Sequence, residues 1–409
     1  MSYEFFKKAV KFGSGVVLAQ LITAASIPLL SRLYSPEDFS LFGVYFSISS
    51  ILVAFVTLRL ETLLPKEQDE GIVYKLNIII NIVYLTLIPL CLIAGFSLYI
   101  VNSQLYFKDL FWIFFIVLAA ITFSLFNTFN ILNVRRNEMS LVNKARISRS
   151  FISIFFQVIL SAVKGGLFLG EVLGRFWGLM YLAKKDYFKI NLKIALNFIR
   201  EKINYIKYAL TANFFNILGL NIYPILTLKY YDPVMVGKFF FVQKILSAPV
   251  TMISQSVSIA LLGDFKKIIE EDKFLLINKM NKISFIFFSI SLVLFFLCAF
   301  SLEYIESFIF GSQWIGVYKY IYMLIPFLVG QVAFTPFSQI LLLVGGEKKQ
   351  LIWDLTRLIL VFLSVFTPLI FNMQNSFVVS LCIYSIANFF MYLIHYFLLI
   401  GAIKGFKDE

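Results

Sequence analysis

The sequence feature that most constrains this chain is a succession of apolar stretches, each about twenty residues long, that recurs along its whole length. A helix needs about 20 apolar residues to cross the hydrocarbon core of a bilayer. A soluble protein of 409 residues that is 60% hydrophobic and 14% charged could not cover its surface with polar groups. The sequence therefore predicts an all-α integral membrane protein, and it excludes a soluble enzyme, a disordered chain and a nucleic-acid-binding module.

The apolar stretches predict twelve membrane spans. The fifth and sixth spans share one apolar run, and only Lys164-Gly165-Gly166, which has the composition of a tight turn, separates them. The predicted spans are 12–31, 39–60, 76–100, 110–133, 147–163, 165–183, 208–228, 236–262, 283–302, 319–345, 352–371 and 377–401.

The distribution of positive charge tests this map, because Lys and Arg concentrate in cytoplasmic loops. With the N-terminus inside, 27 of the 36 Lys and Arg residues fall on the inner side, 6 on the outer side and 3 within spans. This asymmetry predicts an even number of spans with both termini in the cytoplasm. The net charge of +13 is then a consequence of membrane topology rather than a sign of nucleic-acid binding.

An internal repeat predicts two six-helix bundles. The turn after span one runs from Pro28 to Pro36, and the turn after span seven, which runs from Pro224 to Pro233, repeats its proline, aliphatic, hydroxyl and tyrosine residues 196 positions later. Because both copies start from the inner side, the repeat is parallel. We expect an N-terminal bundle at 1–183, a cytoplasmic amphipathic linker at 184–207 and a C-terminal bundle at 208–409. The linker is expected to tie the bundles together, with lipid or partner recognition as the alternative.

Span six contains the clearest charged residues inside the membrane. Gly166, Gly170, Gly174 and Gly178 recur every fourth residue and would allow another helix to approach closely. Glu171 and Arg175 each follow a glycine of this ladder and stand one turn apart. Ionisable residues within spans usually face a cavity or a partner. The pair either neutralises itself or forms a charged flank of a central cavity, and both interpretations stay open.

Other charged residues are costly at their predicted depth. Lys244 lies within span eight, where it either snorkels outward or faces an anionic ligand. Asp354 and Arg357 stand three residues apart in span eleven. Glu61 closes span two at the same face of the membrane, and Arg32 lies at the outer mouth of span one. The in-span cations predict an anionic substrate, and the carboxylates are candidates for carrying a coupling ion.

No site for covalent or metal chemistry is predicted. The three cysteines and the single histidine, His395, all lie in apolar runs, so neither a metal site nor a redox role is indicated. A phosphate-binding loop with the Gly-x-x-x-x-Gly-Lys pattern is absent from the sequence. The loops are short, which favours a function performed inside the bundle, such as transport. We expect no catalytic residues and no cofactor.

Several segments resemble the bacterial oligosaccharide flippases of the multidrug/oligosaccharidyl-lipid/polysaccharide exporter superfamily. One departure is Ser40, which stands where that family usually has glycine, with Gly43 slightly later. The segments that carry the resemblance are Gly15-Val-Val-Leu-Ala-Gln20, Pro28-Leu-Leu-Ser-Arg32-Leu-Tyr-Ser-Pro36-Glu-Asp-Phe39, Arg59-Leu-Glu61, Val236-Gly237, Val242-Gln243-Lys244 and Pro249.

The resemblance implies a flippase that moves undecaprenyl-pyrophosphate-linked oligosaccharide repeat units from the inner to the outer leaflet of the bacterial cytoplasmic membrane. Arg32, Arg175, Lys244 and Arg357 would bind the pyrophosphate, and Glu61, Glu171 or Asp354 would carry the coupling ion. Expected partners are membrane lipids, a polysaccharide polymerase and chain-length machinery, in O-antigen, capsule or exopolysaccharide assembly.

Three alternatives remain. A multidrug exporter of the same superfamily would favour an acidic cavity, and a polysaccharide polymerase would be expected to carry a large outer loop. A flippase for a lipid-linked peptidoglycan precursor is harder to exclude, although it often carries helices beyond twelve, for which this sequence has no room.

Overall fold

The computed structural model describes residues 3–66, 69–102, 107–136, 138–183, 189–271 and 273–405. Within these ranges the chain forms helices joined by short turns and contains no strand, which confirms the predicted all-α fold. The helices are α1 (Tyr3–Leu33), α2 (Pro36–Val56), α3 (Asp69–Asn102), α4 (Phe107–Arg135), α5 (Met139–Ile159), α6 (Gly166–Leu182), α7 (Leu192–Glu201), α8 (Ile203–Tyr230), α9 (Pro233–Glu271), α10 (Lys273–Phe310), α11 (Val317–Phe334), α12 (Ser338–Leu343), α13 (Glu347–Ile370) and α14 (Ser376–Gly405).

Eleven helical segments in the described part of the chain are long and apolar enough to cross a membrane. Helix α6 has 17 residues, which is at the short end of the length that spans a bilayer, and it corresponds to the predicted sixth span. Each of the twelve predicted spans therefore coincides with a helix. The protein is a multi-pass membrane protein.

Two span boundaries differ from the prediction. Helix α5 begins at Met139 rather than at 147, because no glycine or proline interrupts 139–149 and the helix continues through its arginines. Arg146 and Arg149, which the charge count places on the inner side, therefore lie inside a helix. The tenth span is not continuous, since α11 ends at Phe334 and a 3₁₀ turn containing Pro336 precedes α12.

Residues Lys7–Pro233 form one compact unit. In this unit α5 and α6 form an antiparallel pair, joined by a turn in which Gly165 has a φ of +78°, a conformation that glycine adopts without strain. The buried Tyr34 hydroxyl, in the turn between α1 and α2, donates to the Gln157 carbonyl of α5 at 2.6 Å. Burial, followed by the negative charge of Asp38, raises the pKa of Tyr34, so this hydroxyl keeps its proton and stays a donor.

The linker region is fixed to α3 by one buried side chain. Asn81 donates to the Lys189 carbonyl at 2.8 Å and accepts from the Asn191 backbone N–H at 2.7 Å. The Asn191 side chain in turn caps α7 by accepting from the Ile194 N–H. Helix α7 occupies 192–201 of the predicted linker, and Phe188, part of its predicted apolar face, lies outside the described residues.

Helix α8 packs with the N-terminal helices. It lies along α2 and α3, where Phe55 contacts Phe214 with ring centroids 5.2 Å apart. The packing unit therefore ends at Pro233, whereas the repeat places the bundle boundary at 208. The boundary at 208 comes from the duplicated sequence, and the boundary at Pro233 comes from the packing of the chain. The division at 208 stays a prediction.

The second unit consists mainly of Val234–Glu409. Helix α11 packs against both α10 and α14, and α13 packs against α14. The fully buried Trp314 stacks on Phe241 with ring centroids 4.0 Å apart. The buried Glu306 carboxylate accepts hydrogen bonds from the backbone N–H groups of Gly316 and Tyr318, and so caps the start of α11.

Candidate functional site

In the N-terminal unit, the carboxylate of Glu171 joins α5 to α6. Its Oε1 accepts from Arg175 Nε at 2.9 Å and from Arg149 Nη2 at 3.0 Å. Its Oε2 accepts from Ser153 Oγ at 3.0 Å. We call Arg149, Ser153, Glu171 and Arg175 the Glu171 cluster. The intrahelical pair that the sequence predicts is thus present, with a second arginine added from α5.

The glycine ladder of α6 makes this cluster possible. A Cβ at Gly174 would lie 2.6 Å from Ser153 Cβ and 2.9 Å from the Arg149 carbonyl oxygen. A Cβ at Gly170 would meet Gln157 at 2.5 Å, one turn further along α5. The two helix backbones therefore approach as closely as glycine permits. This approach places Arg149 and Ser153 within hydrogen-bond distance of Glu171.

Arg175 is enclosed by aromatic rings. Its guanidinium carbon lies 4.6 Å from the ring centre of Phe123 on α4 and 5.0 Å from that of Phe46 on α2. Its side chain is 3% exposed, against 22% for Arg149. Stacking on rings and an ion pair compensate in part for removing this charge from water. Arg175 is a fixed charge, and Arg149 is the more accessible arginine of the cluster.

The C-terminal unit buries a second arginine between α13 and α14. Arg357 donates to Asn388 Oδ1 at 2.9 Å and to the Tyr392 hydroxyl at 3.2 Å. Its guanidinium carbon lies 5.4 Å from the ring centre of Trp353. Asp354, one turn before it, accepts from Gln350 Nε2 at 3.2 Å. Both side chains that the sequence singled out in this span are therefore buried and hydrogen-bonded.

His395 adds a third side chain to the contact between Gln350 and Asp354. Its Nε2 lies 2.7 Å from Gln350 Oε1, and Gln350 in turn contacts Asp354, so the three side chains are connected. Spacing along the chain did not indicate this contact, because Gln350 lies 45 positions before His395 on another helix. The contact arises only when α13 and α14 pack together.

Glu61 lies in the 3₁₀ helix Leu60–Lys66, which follows α2 and a strained turn. Leu58 and Arg59 have φ values of 52° and 63°, in the left-handed region that non-glycine residues rarely occupy. Glu61 Oε1 pairs with Arg59 Nη1 at 3.4 Å, and Glu61 Oε2 accepts from Thr57 Oγ1 at 2.5 Å. The side chain of Glu61 is 12% exposed. Such strain is often found at functional sites.

The remaining predicted site residues lie apart from these groups along the chain. Arg32 is exposed in the last turn of α1. Lys244 is half-buried within α9, one turn before Ser247, whose hydroxyl donates to the Lys244 carbonyl. Arg32 and Arg175 belong to the N-terminal unit, and Lys244 and Arg357 belong to the C-terminal unit.

Arg149 and Ser153 are site residues that were not predicted from the sequence. The available signal was their spacing, since Arg149, Ser153 and Gln157 recur every four residues and match the period of the glycine ladder that they face. No group of three or more His, Cys, Asp or Glu side chains is placed to hold a metal ion within the described ranges. The arrangement can hold an anion near an arginine, and it can hold a cation or a proton at a carboxylate.

A family model described as polysaccharide biosynthesis protein matches residues 29–319 of the chain. No curated protein matches. Among solved structures, the fold is similar to that of the lipid II flippase MurJ in its inward closed conformation. That structure is 15% identical with a TM-score of 0.67, over 97% of this chain and 88% of the other.

Two further similar structures are transporters. An inward-facing multidrug-resistance MATE family transporter of the MOP superfamily is 14% identical, with a TM-score of 0.63 over 97% of this chain and 96% of the other. The eukaryotic MATE transporter AtDTX14 is 11% identical, with a TM-score of 0.60 over 97% and 95%. At these identities the similarity establishes the fold.

Proposed function

The chain belongs to the polysaccharide biosynthesis protein family, and from this membership we propose that it is a flippase for undecaprenyl-pyrophosphate-linked oligosaccharide repeat units. In this proposal the repeat units pass from the inner to the outer leaflet of the bacterial cytoplasmic membrane by alternating access. They serve O-antigen, capsule or exopolysaccharide assembly. The observation that carries the proposal is the burial of arginines inside apolar helices, in a fold shared with transporters that include a lipid II flippase.

The chemistry of the buried charges favours an anionic substrate. Arg175 and Arg357 are 2% and 3% exposed, and burial of such charges is costly on a membrane-spanning helix. A guanidinium group presents a planar fork of N–H donors that matches phosphate oxygens, and Lys adds a compact positive charge. We propose that Arg32, Arg175, Lys244 and Arg357 provide the positive charge for the pyrophosphate, while the sugars cross in water and the polyprenyl chain stays in lipid.

An ion gradient is the proposed driving force, with Glu61, Glu171 and Asp354 as the candidate carriers. In the structure two guanidinium groups share Glu171 Oε1, and one guanidinium group pairs with Glu61 Oε1. All three carboxylates stay candidates. Membrane lipids, a polymerase and chain-length machinery complete the proposed partners.

The proposal is tested in cells that lack this protein. Lipid-linked repeat units should accumulate intact, with their sugars facing the cytoplasm. Complementation with the wild-type chain should restore polymer, whereas the Arg175→Ala and Arg357→Ala variants should give less polymer at equal membrane abundance. Single repeat units found already in the outer leaflet of the deletion strain would instead support a polymerase. Unchanged polymer together with increased drug sensitivity would support a multidrug exporter.

A further inference from the structure

The Glu171 cluster carries more positive than negative charge. Two guanidinium groups, Arg149 and Arg175, share one carboxylate through the same oxygen atom. The formal charge of these three side chains is therefore +1. An anionic ligand beside the cluster would balance this surplus positive charge.

Arg175 and Arg149 differ in how readily each could contact a ligand. Arg175 is held between the rings of Phe46 and Phe123, and its Nε is engaged with Glu171. Moving it towards a ligand would require breaking these contacts. Arg149 packs against Phe123 and Phe126, with its guanidinium carbon 6.0 and 5.3 Å from their ring centres, and keeps 22% of its side chain exposed.

Arg149 also retains capacity for further hydrogen bonds. An arginine side chain has five N–H donors, and within the described part of the chain Arg149 directs its Nη2 to Glu171. The other N–H groups of the Arg149 guanidinium can donate to phosphate oxygens while the hydrogen bond from Nη2 to Glu171 persists. Arg146, one turn earlier on α5, lies on the same side of the helix and adds positive charge.

We propose that Arg149 is the residue of the Glu171 cluster that contacts the phosphate oxygens of the ligand. Arg175 and Ser153 are positioning residues, which act through the two carboxylate oxygens of Glu171 and fix the orientation of the Arg149 fork. The inference rests on the proposed function for the identity of the ligand, a polyprenyl pyrophosphate. The phosphate-binding role of Arg149 itself rests on the geometry of the cluster.

The test measures binding of inorganic pyrophosphate to the purified full-length chain in nanodiscs of neutral lipid, by isothermal titration calorimetry. A charge-assisted hydrogen bond contributes enough that Arg149→Ala should weaken binding by about tenfold or more. Arg149→Lys should fall between wild type and Arg149→Ala, since it keeps the charge and loses the fork. Lys144→Ala, which removes an exposed cation from the same helix, is the matched control and should bind within about twofold of wild type.

A charge-balanced variant separates ligand contact from a purely structural role. If Arg149 served only to neutralise Glu171, the double variant Arg149→Gln/Glu171→Gln would bind pyrophosphate as the wild type does. We expect the double variant to remain weakened like Arg149→Ala, and a cooperative thermal unfolding transition above the temperature of the binding measurement shows that it is folded. Wild-type binding by the double variant, an unchanged Arg149→Ala, or no pyrophosphate binding by the wild-type chain at millimolar concentration would each overturn the inference.

The outcomes for this inference and for the flippase function are distinguishable. One outcome is that pyrophosphate binding depends on Arg149 while deletion of the protein causes no accumulation of lipid-linked repeat units. That result would support the binding site and reject the flippase function. Accumulation of repeat units in the deletion strain, combined with pyrophosphate binding that ignores Arg149, would retain the function and reject the site.

Discussion

At the scale of single residues, the carboxylate of Glu171 determines how the buried charges of the N-terminal unit are arranged. Both of its oxygen atoms accept hydrogen bonds, from two arginines and a serine, so any change to the carboxylate alters three neighbours at once. Networks of this kind are costly when one partner is removed, because the others remain buried. The cluster is therefore where substitutions should have the clearest consequences.

Replacing Arg175 tests its role as a fixed charge. Arg175→Ala should lower the free energy of unfolding by about 1–3 kcal/mol, because Glu171 loses a hydrogen bond but keeps Arg149. Arg175→Lys should restore part of that loss, since Lys keeps the charge but not the planar stacking on two rings. Thermal unfolding of the purified chain in detergent measures both effects. Lys144→Ala is the control, and equal midpoints for Arg175→Ala and this control would contradict the account.

The sequence predicted the contact between Glu171 and Arg175 because both residues lie on one helix, at a spacing of four. It could not predict Arg149, since three positive charges within 144–149 resemble an inner loop when only hydropathy is considered. The contact between His395 and Gln350 could not be predicted for a similar reason, because the two residues lie on different helices. Pairs within one helix follow from spacing, whereas pairs between helices require the packing to be known.

At the scale of helices, the pairing of α5 with α6 depends on small residues along one face. Gly170 and Gly174 of α6 lie against the backbone of α5, and a Cβ at Gly174 would meet Ser153 and Arg149 of the Glu171 cluster. The sequence predicted that a helix would pack here, from the four-residue repeat of glycine. It did not identify which helix, although the short turn at Gly165 favoured the neighbour in the chain.

Adding one methyl group at position 174 should force these helices apart. Gly174→Ala would place Cβ 2.8 Å from Ser153 Cα and 2.9 Å from the Arg149 carbonyl, and overpacking of this kind costs about 1–3 kcal/mol. Gly401→Ala is the matched control, because a Cβ there meets nothing within 4 Å and alanine is the better helix former. We expect a lower unfolding midpoint for the first variant and an equal or higher one for the second. The reverse order would show that close approach of α5 and α6 is not needed.

The connection between α6 and α8 depends on Asn81. Asn81→Ala removes two hydrogen bonds to the linker backbone, and should release the segment around Lys189 from α3. Trypsin should then cleave at Lys189 or Lys193 at least several times faster than in the wild type. Asn204→Ala, at an exposed position of α8, should leave the cleavage rate unchanged. A rate that is equal in all three proteins would show that Asn81 does not hold the linker.

At the scale of the whole molecule, hydropathy and charge were sufficient to predict the architecture. The apolar stretches predicted the number and order of the spanning helices, because the membrane imposes one length on all of them. The boundary between the two packing units at Pro233 could not be predicted from the sequence. The internal repeat indicates a duplication, but it does not indicate that α8 packs on α2.

The asymmetry of positive charge predicts both termini in the cytoplasm. Reporter fusions placed after Glu409, and within 184–207 and 263–282, should all report a cytoplasmic location. A fusion within the turn between α1 and α2 should report the opposite side and serves as the control. An extracytoplasmic signal from the C-terminal fusion would require an odd number of spans and would contradict the topology.

The most direct test of the central claim is translocation by the purified protein. The chain is reconstituted into vesicles whose undecaprenyl-pyrophosphate-linked oligosaccharide carries a fluorescent sugar, and a membrane-impermeant quencher reports which leaflet holds it. The account predicts that wild-type vesicles equilibrate the lipid between leaflets, that an imposed ion gradient changes the rate, and that Arg149→Ala slows translocation while Lys144→Ala does not. Equal rates in vesicles with the wild-type chain and in protein-free vesicles would contradict the claim that this protein moves lipid-linked oligosaccharides across the membrane.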